Sequence, residues 1–207
     1  MSNVTRHAYA VGGEGSPSSP RSNRQGSAVV VDQYLQWALE GRLYIGSAGS
    51  ETTPLTSVTY DQDQPEVTIS IPSGTTFVPL LVVVNNAEAE NGTDKEVILW
   101  RTTNAIGAGT STVFTDVSNL RSDDKYASVA TARYLHTANV TLTDYVELDR
   151  WANPVASIAP FDYRYEPKAP PVLVGPATLG IQISATTTQM LFFAKVVWAE
   201  FPTADIT

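Results

Sequence analysis

The sequence predicts an all-β protein, folded as an antiparallel sandwich of about eight strands. Short runs of β-branched and aromatic residues recur along the chain, separated by Gly, Pro, Asn and Asp. Residues 71–86, IPSGTTFVPLLVVVNN, predict a strand end, a tight Pro-Ser-Gly turn and a long apolar strand. The chain contains no internal repeat and no sustained helical period. We therefore expect function to depend on shape and surface more than on reactive side chains.

Composition predicts one domain with an appendage: a flexible N-terminal arm over residues 1–27 and a single sandwich domain over residues 28–207. Apolar residues make up 43% of the chain, enough for a core, whereas charged residues reach only 16%, below the globular average of roughly 25%. Such a surface is rich in neutral Thr, Ser and Ala. It is buried against a neighbouring subunit at low cost because few ions lose their water.

The arm differs in charge from the rest of the chain. It holds three arginines, Arg6, Arg21 and Arg24, and one acid, Glu14, so its net charge is +2. Because the whole chain has a net charge of −8, the remaining residues carry −10. Its Gly, Ser, Pro and Asn content predicts a segment that is flexible in isolation and can order on a partner. An acidic body with three arginines in its arm is expected to contact nucleic acid weakly or not at all.

The chain has no cysteine, which excludes disulfides, thiol nucleophiles and thiolate metal sites. The first residues lack the pattern of a signal peptide, and the longest apolar run, residues 78–84, is too short to span a bilayer. These features predict synthesis in a cytoplasm.

The first elements are predicted from local patterns. A short strand begins at residue 28. Residues 32–40 fit either one or two helical turns, with Asp32 as the N-cap and Gly41 as the end, or a continued strand. A strand is expected at residues 55–60. Residues 66–71 alternate between an apolar face (Val67, Ile69, Ile71) and a polar face (Glu66, Thr68, Ser70).

The middle of the chain predicts a hairpin. Residues 76–85 are almost wholly apolar, as in a strand covered on both faces. Pro79 cannot donate a ladder hydrogen bond, so an edge position or a bulge is expected there. Asn91-Gly92 is the strongest short turn signal in the chain. Residues 95–103 are predicted to be the second strand of the hairpin, paired with residues 76–85.

The second half predicts further short strands and one long loop. The loop covers residues 151–171 and holds five prolines. The last strand is the longest candidate and is expected to lie centrally in its sheet. The predicted strands are residues 112–116, 128–135, 139–148, 172–174, 178–184 and 189–201.

Catalytic and metal-binding residues are scarce. The chain has two histidines, His7 in the arm and His136, which are too few for a catalytic or metal site built from several histidines. Asp61 and Asp63 have a spacing that presents two oxygens to Ca²⁺, although a complete EF-hand loop is absent. Paired acids also permit a hydrolase, as the least favoured hypothesis. We predict no enzymatic activity, no cofactor and no resident metal.

The tryptophans divide into two groups. Trp100 and Trp198 fall inside predicted strands and are expected in the core. Trp151 falls in the predicted loop with Tyr163 and Tyr165, which makes these three the candidates for an exposed platform that stacks on a sugar ring.

These features together resemble a known family. The Gly/Pro/Ser-rich arm, the segment IPSGTTFVPLLVVV and residues 175–202, GPATLGIQISATTTQMLFFAKVVWAEFP, are similar to single jelly-roll capsid proteins of tailless icosahedral phages. The resemblance covers about residues 28–202. It implies two four-stranded antiparallel sheets, assembly into pentamers, trimers or larger shells, and an arm that ties subunits together.

Two functional hypotheses follow. The first is a capsid subunit, located in the virion, that assembles with copies of itself or with a second capsid protein. Because the arm is only weakly basic, the resemblance favours a shell with an inner membrane beneath it over direct packaging of the genome. The alternative is a receptor- or carbohydrate-binding sandwich, such as a fibre head or a lectin-like module, that uses Trp151, Tyr163 and Tyr165.

Overall fold

The structure is a computed structural model, and it describes residues 32–57, 60–87, 95–107, 109–123, 126–153, 162–185 and 189–205. One helix, α1 (Gln33–Leu39), and a final 3-10 turn (Thr203–Asp205) accompany the strands. The strands are β1 (Leu43–Ala48), β2 (Leu55–Thr56), β3 (Val67–Ile71), β4 (Thr75–Asn86), β5 (Lys95–Thr102), β6 (Thr112–Val113), β7 (Asp116–Asn119), β8 (Thr131–Tyr134), β9 (Val146–Asn153), β10 (Asp162–Tyr165), β11 (Leu173–Val174), β12 (Ala177–Ala185) and β13 (Leu191–Pro202).

These strands form two antiparallel sheets packed as a sandwich, which confirms the predicted class. The first sheet has the order β10-β4-β13-β1-β7, with β11 beside β4 and β2 beside β13. The second sheet has the order β6-β8-β3-β12-β5-β9. As predicted, the long last strand β13 is central, since it pairs with both β1 and β4.

Eight of the strands pair in a nested pattern. In chain order these are β1, β3, β4, β5, β9, β10, β12 and β13. The first pairs with the eighth, the second with the seventh, the third with the sixth and the fourth with the fifth. The segment between β5 and β9 adds β7 beside β1 in one sheet and β8 beside β3 in the other.

The core lies between the sheets and contains aromatic residues at its centre. Trp198 is fully buried and stacks between Tyr44 and Phe77, with ring centroids 6.1 and 5.8 Å away. Apolar side chains of β3, β5 and β12 close the core from the second sheet. Trp100 is also fully buried, so both predictions of core tryptophans are confirmed.

The second sheet is covered on its outer face as well. Trp100 and Ile98 point there and form a smaller apolar cluster with Ile106, against which Val140, Leu142 and Tyr145 pack. The polar face predicted for β3 is therefore buried: Thr68 is 0% exposed and Ser70 is 6% exposed. Their hydroxyls are satisfied internally, as Ser70 Oγ lies 3.0 Å from Thr178 Oγ1 and 3.1 Å from the backbone N of Ile106.

Helix α1 follows its sequence signals. The Asp32 carboxylate accepts the backbone N–H groups of Tyr34 and Leu35, at 2.9 and 3.3 Å, which is the N-cap role predicted for it. Gly41, with φ of +72°, follows the end of the helix and turns the chain into β1. The strand predicted from residue 28 lies outside the described residues.

The hairpin predicted across residues 86–95 is wrong. β4 belongs to the first sheet and β5 to the second, so the two strands do not pair with each other. The Asn91-Gly92 dipeptide itself lies outside the described residues. The prediction for Pro79 is confirmed as a bulge, because the register between β4 and β13 shifts beside it: Val197 faces Leu81 and Trp198 faces Pro79.

Two other predicted boundaries are wrong. Residues 151–171, predicted as one long loop, contain the end of β9 and the whole of β10. Residues 139–145, predicted as the start of a strand, are irregular and carry the side chains that cover Trp100. Both errors arise because pairing partners distant in sequence decide which extended segments join a ladder.

Candidate functional site

The predicted aromatic platform is not an exposed surface. Trp151 lies in β9 and is half-buried against the core. Tyr163 is only 2% exposed, and Tyr165 is half-buried beside it. The prediction that these three rings are exposed together is therefore wrong. Tyr163 belongs to the core, and Trp151 and Tyr165 pack against that core, so the three rings do not share an exposed face.

Tyr163 is held by a hydrogen bond between the sheets. Its hydroxyl, on β10 of the first sheet, donates to Asp149 Oδ2 on β9 of the second, at 2.8 Å. Burial, together with this hydrogen bond to a carboxylate, raises the pKa of Tyr163 far above its usual value. The phenol therefore stays protonated and serves as a structural link.

The other predicted ligand residues have structural roles or lie outside the described part of the chain. Asp61 Oδ1 accepts the backbone N–H of Asp63 at 3.0 Å, and the Asp63 carbonyl accepts the N–H of Val140 at 2.8 Å. Within the described residues, no three His, Cys, Asp or Glu side chains are grouped to hold a metal ion. The arm residues Arg6, Arg21 and Arg24 lie outside the residues that the structure describes.

His136 is buried under the irregular cover of the second sheet. Its Nε2 lies 2.9 Å from Thr68 Oγ1, and its Nδ1 has no hydrogen-bond partner among the described residues. Burial, reinforced by the positive charge of Arg133, lowers the pKa of His136 to about 4. The imidazole is therefore neutral near pH 7 and is enclosed beside Thr68.

The most site-like feature is a cleft at one end of the sandwich, which we call the end cleft. It encloses about 580 Å³ between the end of α1, the turn from β3 to β4, residues 126–129 and the end of β13. The side chains that decide its chemistry are Glu40, Arg42, Tyr44, Tyr126, Glu200 and Phe201.

Arg42 forms one wall of the end cleft. Its guanidinium carbon lies 5.1 Å from the centre of the Phe201 ring, and its nitrogens pair with Glu40 and Asp205, each at 3.1 Å. Phe201 in turn contacts Trp37 of α1, with ring centroids 5.0 Å apart. The helix, β1 and the end of β13 are thus fastened together at this wall.

Glu200 lines the cleft from within and is only 7% exposed. Its carboxylate accepts three hydrogen bonds: from Trp198 Nε1 at 2.7 Å, from the backbone N of Val129 at 3.0 Å, and from Ser128 Oγ. A buried charge is tolerated when its oxygens are satisfied in this way. Glu200 therefore connects the loop at residue 128 to the central strand β13.

Apolar side chains stand exposed around the cleft. Leu39 is 59% exposed, Tyr126 is 48% exposed and Val129 is 54% exposed. Gly41 lies between the first two, and a Cβ atom there would come within 3.0 Å of the Tyr126 ring. A concentration of exposed apolar groups beside a cavity is typical of an interaction surface.

Sequence reasoning missed the end cleft, although one signal for it was present. Glu200 is an acid within the otherwise apolar run of the last strand, and such a residue needs hydrogen-bond donors if it is buried. One donor, Trp198, is two positions away, but the other two come from residues 128 and 129, more than seventy positions away. Only the tertiary structure places them beside it.

No family model, no curated protein and no solved structure gives a significant match to this chain. Among the described residues, no helix is long and apolar enough to cross a membrane.

Proposed function

We propose that this chain is a coat subunit of a virus particle that assembles with copies of itself, and that its sandwich is a jelly roll. The observation that carries the proposal is the nested pairing of eight strands, first with eighth through fourth with fifth. A long antiparallel hairpin rolled into two sheets has this pairing. Jelly rolls of this kind occur in viral capsid proteins, lectins and cupins.

Residue chemistry favours the capsid class among these three. A cupin metal site needs clustered histidines, whereas this chain has two histidines in all, and the described one is buried against Thr68. The carbohydrate-binding alternative depended on Trp151, Tyr163 and Tyr165 as exposed rings, and the burial of Tyr163 removes that basis. The proposal assigns no catalytic activity to the chain.

The surface supports contacts between subunits. Only 16% of residues are charged, and exposed leucine, valine and tyrosine side chains surround the end cleft. Weak contacts made by such a surface are multiplied around closed symmetry, so a shell gains stability without any single strong interface.

The same proposal covers location and partners. The protein would be made in the host cytoplasm and reside in the virion, in contact with other capsid subunits. Because the arm has a net charge of only +2, the layer beneath the shell would be a second capsid protein or an inner membrane rather than the genome itself.

Sedimentation and electron microscopy of the purified full chain test the proposal. We expect pentamers, trimers or larger shells, since apolar rims and a docking arm both favour association. Deleting residues 1–27 should reduce the assembled fraction and leave the β-type circular dichroism spectrum unchanged. As a control, a Gly/Ser segment of equal length in place of residues 1–27 should behave like the deletion. A full chain that stays monomeric at high concentration, with no response to the deletion, would refute the proposal.

A further inference from the structure

The end cleft carries an excess of negative charge. Two carboxylates, those of Glu40 and Glu200, and one guanidinium, that of Arg42, line the cleft and sum to −1. Beside the lining, Asp205 pairs with Arg42, and Arg121, which lies next to Gly41, pairs with Asp123. With these neighbours the local sum is −4 plus +2, or −2. Each of these groups already has a partner within the protein, so a ligand meets a net negative field rather than one unsatisfied charge. An anion would be repelled from such a cavity, and a cation attracted.

The walls of the cleft are aromatic. Tyr44, Tyr126 and Phe201 line it, and aromatic faces attract cations, arginine-like planar cations especially. Arg42 already shows the geometry: its guanidinium lies over Phe201 and bonds to carboxylates at its edge. Tyr126, which is 48% exposed, offers the same chemistry to a second planar cation, whereas Tyr44 is 5% exposed and stacks on Trp198.

We propose that the end cleft binds a planar cation with an apolar body, a guanidinium or amidinium group on an alkyl or aryl frame. The volume of about 580 Å³ lies within the range of roughly 300–1,000 Å³ found for small-molecule sites. The cation is drawn by the net negative charge, and its apolar body packs on the Tyr126 ring and on the exposed side chains of Leu39 and Val129. This site is additional to the assembly function and does not depend on it.

Two sources can supply such a group. One is a free small molecule that carries a guanidinium or amidinium. The other is an arginine of this chain, and residues 1–27 contain three, Arg6, Arg21 and Arg24. The ligand chemistry is the same in both cases, so a single probe tests the site and a variant of the arm identifies the source.

The probe is benzamidine, compared with benzamide and benzoate, which share its shape but are neutral and anionic. Binding is followed in the full chain through the tryptophan indole N–H resonances, because Trp198 Nε1 donates to Glu200 in the wall of the cleft. We expect benzamidine to bind at least tenfold more tightly than either analogue. Equal binding of the three compounds, or no change in any indole resonance, would overturn the proposal.

Two variants locate the site. Glu40→Gln removes one negative charge from the cleft and should weaken benzamidine binding at least threefold. Its control, Glu51→Gln, removes an exposed charge beyond the opposite end of β1 and should leave binding unchanged. Tyr126→Leu keeps an apolar side chain but removes the ring, and should also weaken binding. If Glu40→Gln and Tyr126→Leu, folded by circular dichroism, bind as tightly as Glu51→Gln, the site is not the end cleft.

The triple variant Arg6→Ala, Arg21→Ala, Arg24→Ala in the full chain identifies the source. If an arginine of the arm occupies the cleft, its removal eliminates a competitor and benzamidine binds more tightly. If the natural ligand is a free molecule, the affinity for benzamidine is unchanged. Both results support the site. Assembly is measured without the probe, so failure here leaves the proposed coat function to be judged separately.

Discussion

At the scale of single residues, Gly180 of β12 lies beneath the Trp100 ring of β5. The two residues are direct neighbours across the ladder. The Trp100 ring lies over the glycine so closely that an added Cβ would fall 2.0 Å from its Cζ2 atom. The ring is fully buried between the sheet and the cover at residues 140–145, so it has little room to move.

We therefore predict that Gly180→Ala destabilises the protein by about 2 kcal/mol or more, as overpacking of a dense core does. Urea unfolding followed by tryptophan fluorescence measures the change. Gly107→Ala is the matched control, because a Cβ there meets no atom within 4 Å; its effect should stay within about 0.5 kcal/mol. Equal stability of the two variants would show that Trp100 is not held over Gly180.

His136 couples stability to pH. Its pKa in the folded state is about 4, below the ordinary value of 6.5, because burial and Arg133 oppose the charged ring. The unfolded chain therefore takes up a proton more readily, and the free energy of unfolding falls as the pH drops from 6.5 towards 4. Well above pH 6.5 the imidazole is neutral in both states and this contribution disappears.

From this residue alone we expect a loss of about 2 kcal/mol between pH 7 and pH 5. Urea unfolding at the two pH values measures it. His136→Gln retains a polar partner for Thr68 but does not titrate, so the difference between wild type and variant separates His136 from the carboxylates. The same pH dependence in both proteins would contradict the burial of a neutral histidine at this position.

At the scale of elements, local sequence signals define the start of α1, and tertiary contacts stabilise the helix. Seven residues are too few for a stable isolated helix. The helix persists because Trp37 and Ala38 pack on an apolar cluster of Leu43, Val78 and Ala199 on the outer face of the first sheet. Its cap was visible in the sequence, whereas the face that packs and the strands beneath it were not: Tyr34, Leu35 and Leu39 stay exposed.

We predict that Asp32→Ala loosens α1, because the variant leaves the N–H groups of Tyr34 and Leu35 without their acceptor. The expected cost is about 1 kcal/mol. Hydrogen exchange of these two amides measures the loosening, and it should accelerate several-fold. Asp32→Asn retains a capping oxygen and is the control, which should exchange like the wild type. Exchange in Asp32→Ala as slow as in the wild type would contradict the cap.

Strands were predicted correctly where a local apolar pattern defines them. They were predicted wrongly where pairing with a distant strand decides whether a segment becomes a strand. β12 and β13 were anticipated within two residues at each end, since both are long and apolar. β10 was missed, because DYRY has no apolar run and becomes a strand by pairing with β4 from Asn85 to Val82. Residues 139–145 alternate like a strand, yet they remain irregular and cover Trp100.

At the scale of the whole molecule, the nested pairing explains the one large error of topology. β4 and β5 are successive and apolar, and the sequence between them favours a tight turn, so a hairpin was the natural local prediction. In the fold each strand pairs instead with a strand from the end of the chain: β4 with β13 and β5 with β12. The connection between them therefore crosses from one sheet to the other.

The sequence by itself determined the class, Asp32 as a cap, an interrupted ladder at Pro79, the burial of Trp100 and Trp198, and the central place of the last strand. These depend on backbone chemistry and apolar periodicity, which act over a few residues. Tertiary structure alone decided which strands pair, that the rings of Trp151, Tyr163 and Tyr165 do not share an exposed face, and that Glu200 meets its donors in the end cleft. Such outcomes depend on contacts between residues far apart in the chain, and no local pattern encodes the energy of those contacts.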